Sequence, residues 1–212
     1  MSLVLHAHPL SSYCHKALTA LYELQAPFEL AFLNLGDAAE RDAFYALWPI
    51  GKMPVLEDRE TGLTLPESSI IIEWLNDRFG GSLIPKDEAA ALEVRLWDRI
   101  FDNHVHLHMQ AFAADLLRPE GQRDPYGVAF ARAKLETAYD LVEARMAGRE
   151  WIAGDAFTMA DCAAGPPLFY AEQRVPFGAR PNLAAYLDRL KARPAYARAL
   201  KEAEPYFHMV PR

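Results

Sequence analysis

The sequence predicts an α/β unit followed by an all-α unit: a βαβ-α-ββα order with a mixed four-stranded sheet over residues 1–80, then helices alone over residues 87–212. Three observations lead there. Short apolar runs alternate with helical periodicity up to about residue 80, and only helical periodicity follows from about residue 87. Between them, "FGGSLIPKD" sets Gly80, Gly81 and Pro85 as stop signals. A chain of 212 residues with 51% hydrophobic content can bury a substantial core.

The elements follow in order. "SLVLHAH" reads as a strand, "YCHKALTALYEL" as a helix, "FELAFLNL" as a strand and "AAERDAFYALW" as a helix. "MPVLED" and "LTLP" form a hairpin around the polar turn "RETG", and "ESSIIIEWLNDRF" closes the unit as a helix. Three helices suffice to cover such a sheet. In the second half, Val94, Trp97, Phe101, Val105, His108 and Phe112 form one stripe of a long helix, and Ala131, Leu135, Ala138 and Val142 form another. In "GDAFTMADCAA", Thr158 followed by Asp161 has the form of a capping box, which makes Asp161 a structural residue. The paired prolines of "GPPLF" predict a kink or an interruption in the helix that follows. Pro194 opens the last helix, and "EPYFHMVPR" is an aromatic-rich tail that needs an apolar partner.

Composition narrows the function. The net charge of −7, with signs interspersed, argues against a nucleic-acid surface or a polybasic membrane anchor. No run reaches membrane-span length and "MSLVLHAHPL" lacks signal-peptide features, so a cytoplasmic protein is expected. Cys14 and Cys162 are the only cysteines, without a CxxC pair, a zinc-type cluster or a disulfide framework. His104 and His108 lie one helical turn apart with His106 pointing away; no third ligand is evident, and no metal is expected.

Three features then line up: the strand-to-helix turn with Ser11 and Ser12, "KMPV" opening a strand, and "PESSIIIEWL" opening the helix after the hairpin. Their order and spacing, followed by an all-helical half, resemble the cytosolic glutathione transferase family over essentially the whole chain. The likeness implies a thioredoxin-like N-terminal domain, with glutathione as co-substrate, and an all-α C-terminal domain lining a pocket for an electrophile. It also implies a cis peptide bond before Pro54, which lies at the start of a strand read as an edge strand, and pairing of the Met53 backbone with glutathione as an added strand. Ser68 and the helix N-terminus behind it would receive the γ-glutamyl carboxylate. Glu67 would meet the γ-glutamyl ammonium and Lys52 the glycyl carboxylate.

Lowering a thiol pKa from about 8.5 by about two units requires roughly 3 kcal/mol. A hydrogen bond to a charged group supplies about 1.5–3 kcal/mol, and a helix N-terminus roughly 0.3–2. The turn "LSSYC" offers both. In serine-type members of the theta, delta and zeta kind the activating serine ends the first strand, and the theta and delta pattern, three residues before a cysteine, matches Ser11 and Cys14. Ser11 is the expected thiolate donor, with Ser12, Tyr13 and Cys14 as alternatives, the last as a mixed-disulfide nucleophile of the omega kind. The chain departs from the pattern with Tyr13 in place of proline, Met53 in place of valine, and Trp48 before Pro49 where asparagine is frequent.

The family's long helix borders the electrophile pocket, which assigns Leu10, His104, His108 and Phe112 as candidate lining. Asp98 or Asp102 could reach glutathione across a dimer interface, and the tail around Tyr206 and Phe207 could cover the pocket. The expected function is conjugation of glutathione to a small hydrophobic electrophile by a homodimeric detoxification enzyme. The alternatives are a glutathione-dependent isomerase or thiol transferase, and a non-catalytic glutathione- or ligand-binding protein of the same fold.

Overall fold

The computed structural model describes residues 2–210; of the expected second unit, residues 211 and 212 lie outside them. Strand β1 (Leu3–Ala7), helix α1 (Ser12–Glu23), β2 (Glu29–Phe32), α2 (Ala38–Leu47), β3 (Val55–Asp58), β4 (Leu63–Pro66) and α3 (Ser68–Phe79) follow in the expected order. The sheet runs β2-β1-β3-β4. β1 pairs parallel with β2, across the α1 crossover, and antiparallel with β3, so the sheet is mixed. The Met53–Pro54 peptide bond is cis. β3 is an interior strand, flanked by β1 and β4, and not the expected edge strand. Pro54 is tolerated there because it stands one residue before Val55, the first to pair, so its missing N–H interrupts no ladder.

The second half contains α4 (Glu88–Ile100), a π-helical turn (Phe101–His106), α5 (Leu107–Leu116), α6 (Pro125–Met146), α7 (Met159–Glu172), α8 (Pro181–Ala192), α9 (Pro194–Ala203) and a 3₁₀ segment (Glu204–Met209). One apolar cluster spans both halves, from Leu3 and Leu5 of β1 through Ala17 and Leu21 of α1 to Ala164 and Leu168 of α7. A small satellite of Leu33, Phe44 and Val55 lies under α2.

Two local expectations are corrected. α7 runs unbroken through Pro166 and Pro167. Nearly every residue of it is buried, so surrounding helices hold the prolines in place although two backbone donors are missing. The long-helix stripe also breaks after Val105. After the π turn, with its wider i→i+5 bonding, Met109 is buried where His108 was expected and His108 is only half-buried, while Phe112 is buried as the stripe predicts. His106, expected to point away, is buried.

At the start of α7 the Thr158–Asp161 capping box is present. The Asp161 carboxylate accepts from the Thr158 N–H (2.8 Å), the Thr158 hydroxyl (3.0 Å), the Ile152 N–H (3.2 Å) and the Tyr186 hydroxyl (2.6 Å). Burial pushes its pKa up to about 6, against the pull of these donors.

Candidate functional site

The turn from β1 into α1 makes Ser11 the N-cap of α1, in an extended conformation. Its Oγ accepts from the Cys14 N–H at 3.4 Å, a long bond, while the O–H hydrogen stays free to donate elsewhere. Ser11 opens onto a cavity of about 540 Å³, within the usual roughly 300–1,000 Å³ of small-molecule sites. Lys52, Met53, Pro54, Glu67 and Ser68 line the same cavity, and so does Tyr13. Residues widely separated in sequence are gathered there because the α1 N-terminus, the start of β3 and the α3 N-terminus all face one end of the sheet.

The α3 N-terminus is left unsatisfied. Glu67 is its N-cap at φ 71°, a left-handed conformation that a non-glycine residue rarely adopts, and it makes no capping hydrogen bond. Among the described residues the N–H groups of Ser68, Ser69 and Ile70 have no acceptor either, which makes an anion site at the cavity wall. Among the described residues, the N–H and C=O of Met53 also have no hydrogen-bond partner, so its backbone is free to pair with an extended chain.

The other donor candidates stand differently. Ser12 is buried and Cys14 is fully buried, and neither lines the cavity. Burial pushes the Cys14 thiol up to about 12 despite its bond to Ser11, so at neutral pH it is an inaccessible thiol rather than a nucleophile. Tyr13 is half-buried, its ring edge-on to His106 with centroids 4.0 Å apart. Burial first, then the Asp102 charge, pushes its phenol up to about 12, so it remains a protonated donor at neutral pH.

Asp98 and Asp102 are both buried. Both pair with the buried Lys16, at 2.6 and 2.8 Å, and Arg99 meets both, at 2.7 and 2.5 Å. Ser69 joins them, accepting from Lys16 (2.8 Å) and donating to Asp98 (2.8 Å). Two carboxylates can share one buried ammonium because Arg99 supplies the second positive charge. The cluster ties α1 and α3 to the junction of α4 with the π turn, and Asp102 and Arg99 form part of the cavity wall.

Of the expected electrophile-pocket residues, Leu10, His104, His108 and Phe112 are not among those lining this cavity. His104 is exposed, His108 packs against Phe130, and Phe112 lies under the Arg132 guanidinium. The long-helix wall consists of Arg99, Asp102, Asn103 and Gln110, of which the sequence ties only Asp102, as a candidate beside Asp98, to glutathione, and Leu35 and Gly51 complete the lining. A signal was available: Arg99, Asn103, His106 and Gln110 recur every three or four residues, a polar stripe beside the apolar one. In the tail, Tyr206 stacks on Phe32 and Phe207 packs against Phe169. Among the described residues no three His, Cys, Asp or Glu side chains converge as metal ligands would, and no helix is long and apolar enough to cross a membrane.

Comparison with known proteins bears on what such a cavity binds. Residues 5–83 match the family model of the glutathione S-transferase N-terminal domain, and residues 109–189 that of the C-terminal domain. Glutathione S-transferase 3 of Zea mays is 31% identical over 209 residues, covering 93% of each chain. A glutathione S-transferase from Methylobacillus flagellatus, solved with glutathione bound, superposes with a TM-score of 0.85 at 27% identity, covering 93% of this chain and 98% of that one. One from Methylobacterium radiotolerans, in complex with glutathione sulfonate, gives 0.81 at 30% identity, covering 93% of each.

Proposed function

Because the chain belongs to the glutathione S-transferase family, we propose that it conjugates glutathione to a small hydrophobic electrophile, using a serine to hold the thiolate. The observation that carries this reading is the convergence on one cavity of the Ser11 hydroxyl at the α1 N-terminus, the unpaired backbone of Met53 and the uncapped N-terminus of α3.

In this reading glutathione lies extended along Met53, with its γ-glutamyl carboxylate at the α3 N-terminus and Ser68, its ammonium by Glu67 and its glycyl carboxylate by Lys52. The sulfur then faces Ser11. Accepting from the Cys14 N–H orients the Ser11 hydroxyl so that its hydrogen points away from the helix, toward the ligand. A hydrogen bond donated by the Ser11 hydroxyl to the sulfur and the α1 N-terminus together cover the roughly 3 kcal/mol that a thiolate at neutral pH requires. Orientation and charge stabilisation then suffice for substitution or addition at the electrophile, with no covalent enzyme intermediate. Tyr13, protonated and on the same wall, is the second candidate donor.

This assigns the chain to the serine-type members and to detoxification chemistry in the cytoplasm, where glutathione and reduced thiols prevail. A thiol-transferase role is disfavoured by the burial of Cys14. A homodimer is favoured by Ile70 of α3 and Leu92 and Leu96 of α4, which are half or more exposed around the bidentate Arg95–Glu73 pair.

Ser11→Ala tests the reading through the ultraviolet absorbance of bound thiolate and through turnover. Loss of both, with glutathione still bound, is the expected result. An unchanged bound-thiol pKa would remove Ser11 from the role, and tight glutathione binding without thiolate in the wild type would favour a non-catalytic binding protein.

A further inference from the structure

Ser11 sits on a four-residue turn, residues 8–11, whose own cap bond is long at 3.4 Å. Two imidazoles hold that turn. His8, at its start, accepts the Leu10 N–H on its Nδ1 at 3.1 Å, and its backbone carbonyl accepts the Ser11 N–H at 3.0 Å. His15, one turn into α1 and fully buried, reaches back from its Nε2 to the carbonyl of Pro9. Every residue from Leu10 back to His8 is thus tied by a histidine side chain or by the His8 carbonyl.

The partners dictate the state of each ring. A backbone N–H only donates, so His8 must present a bare Nδ1. A carbonyl only accepts, so His15 must carry its proton on Nε2. Burial lowers the pKa of both and favours the neutral rings: His15 falls to about 4, with the Glu202 carboxylate of α9 opposing the fall. Packing fixes their planes as well. The His8 ring lies against Phe32 (5.3 Å between centroids) and Tyr206 (5.7 Å), and His15 against Tyr170 (6.3 Å) and Tyr196 (6.2 Å). Through Tyr206, the 3₁₀ tail braces the turn from behind.

We infer that His8 and His15 are positioning residues for the thiolate site, with His8 acting as an Nδ1 acceptor and His15 as an Nε2 donor that together fix where Ser11 presents its hydroxyl. The inference rests on Ser11 being the thiolate donor. A hydrogen bond to a thiolate is sharply distance-dependent, so a turn free to drift by an ångström forfeits much of the stabilisation while leaving the rest of the glutathione contacts intact.

Amide isosteres separate this from a merely structural role, because the Asn side-chain amide ends near the position of Nδ1 and that of Gln near Nε2. His8→Asn retains an acceptor for Leu10 and His8→Gln misplaces it. At position 15 the pattern inverts: His15→Gln retains a donor for Pro9 and His15→Asn is too short. Bound glutathione is titrated by thiolate absorbance in all four variants, and its Kd is measured alongside.

The expected result is a bound-thiol pKa raised by about one unit in His8→Gln and His15→Asn, a tenfold loss of thiolate below the pKa. Glutathione affinity should stay within about twofold, and His8→Asn and His15→Gln should titrate close to the wild type. Equal behaviour of Asn and Gln at both positions, or an unmoved thiol pKa in His8→Gln and His15→Asn, overturns the inference. If His15→Asn does not fold, the His8 pair decides. Ser11→Ala keeps the two levels apart. If it leaves the thiol pKa unchanged, the donor assignment fails; if it raises the pKa while the histidine variants do not, only the positioning role fails.

Discussion

Helices α1 and α7 both begin with a hydroxyl residue at the N-cap, Ser11 in one and Thr158 in the other, yet the two ends are finished in opposite ways. At α7 the cap is buried and saturated. Asp161 three residues on gathers four donors, including a tyrosine from α8, and nothing is left for a ligand. At α1 the cap opens on a cavity, its one bond is long, and no acid stands in the first turn to compete for the orphan N–H groups. The uncapped α3, with Glu67 held at positive φ beside it, carries the same economy further. The difference teaches where binding capacity lies in a helical fold: in the ends left incomplete.

The comparison breaks most visibly at the saturated end. Asp161→Ala strands the Tyr186 hydroxyl and the Thr158 and Ile152 N–H groups in the interior. It should cost about 3 kcal/mol or more and lower Tm by roughly 6–12 °C in thermal unfolding. The folded fraction should bind glutathione with an unchanged thiol pKa. A shifted thiol pKa there would mean that the two helix ends are coupled.

At the incomplete end, His15 makes stability depend on pH. Its folded-state pKa is depressed to about 4 from 6.5, so its contribution is present above pH 6.5 and lost as pH falls through about 4. The shift corresponds to roughly 3 kcal/mol. Denaturant titrations of wild type and His15→Gln should therefore show the wild type losing that much relative to the variant between pH 7 and 4. Parallel curves would show that folding leaves the His15 pKa where it is in the unfolded chain.

Smaller effects follow at the ligand contacts. Ser11→Ala should lower turnover by roughly 30- to 100-fold, the worth of about 2–3 kcal/mol, in a steady-state assay with a model electrophile. The same change should lower stability by only about 0.5 kcal/mol, as befits a long cap bond. Ser68→Ala should weaken glutathione binding by roughly fivefold in calorimetry, the loss of about 1 kcal/mol for one hydroxyl beside an anion already held by backbone N–H groups. A fall at Ser68 as large as that at Ser11 would mean that the α3 end depends on side chains rather than on its open backbone.

How much of this was readable in advance follows from the range of the forces involved. The strands and helices of the first eighty residues, the Thr158–Asp161 box and the Ser11, Met53 and Glu67 segments are local patterns, and the structure reproduces those elements where the sequence puts them. The failures are all non-local. Of the kink or interruption that the paired prolines predict, the interruption is absent, because α7 is packed on nearly every side, which local rules cannot see. The burial of Met109 where the regular period puts His108 was not legible, because a 3.6-residue repeat does not reveal the π turn between them. The burial of Asp98 and Asp102 around Lys16 was not legible, because nothing in the sequence places Lys16, more than eighty residues earlier, between them.

The sequence by itself determined the order of elements, the hydroxyl residues at the helix starts and the family, because propensity, capping and turn chemistry act within a few residues. The tertiary structure alone decided which helix end is saturated and which is open, that Cys14 is sealed and Ser11 exposed to the cavity, and that two histidines hold the turn between them. Those outcomes depend on burial and on hydrogen bonds whose partners are fixed only when distant segments pack together, and burial is what turns a reactive thiol into core and an unpaired N–H group into a binding site.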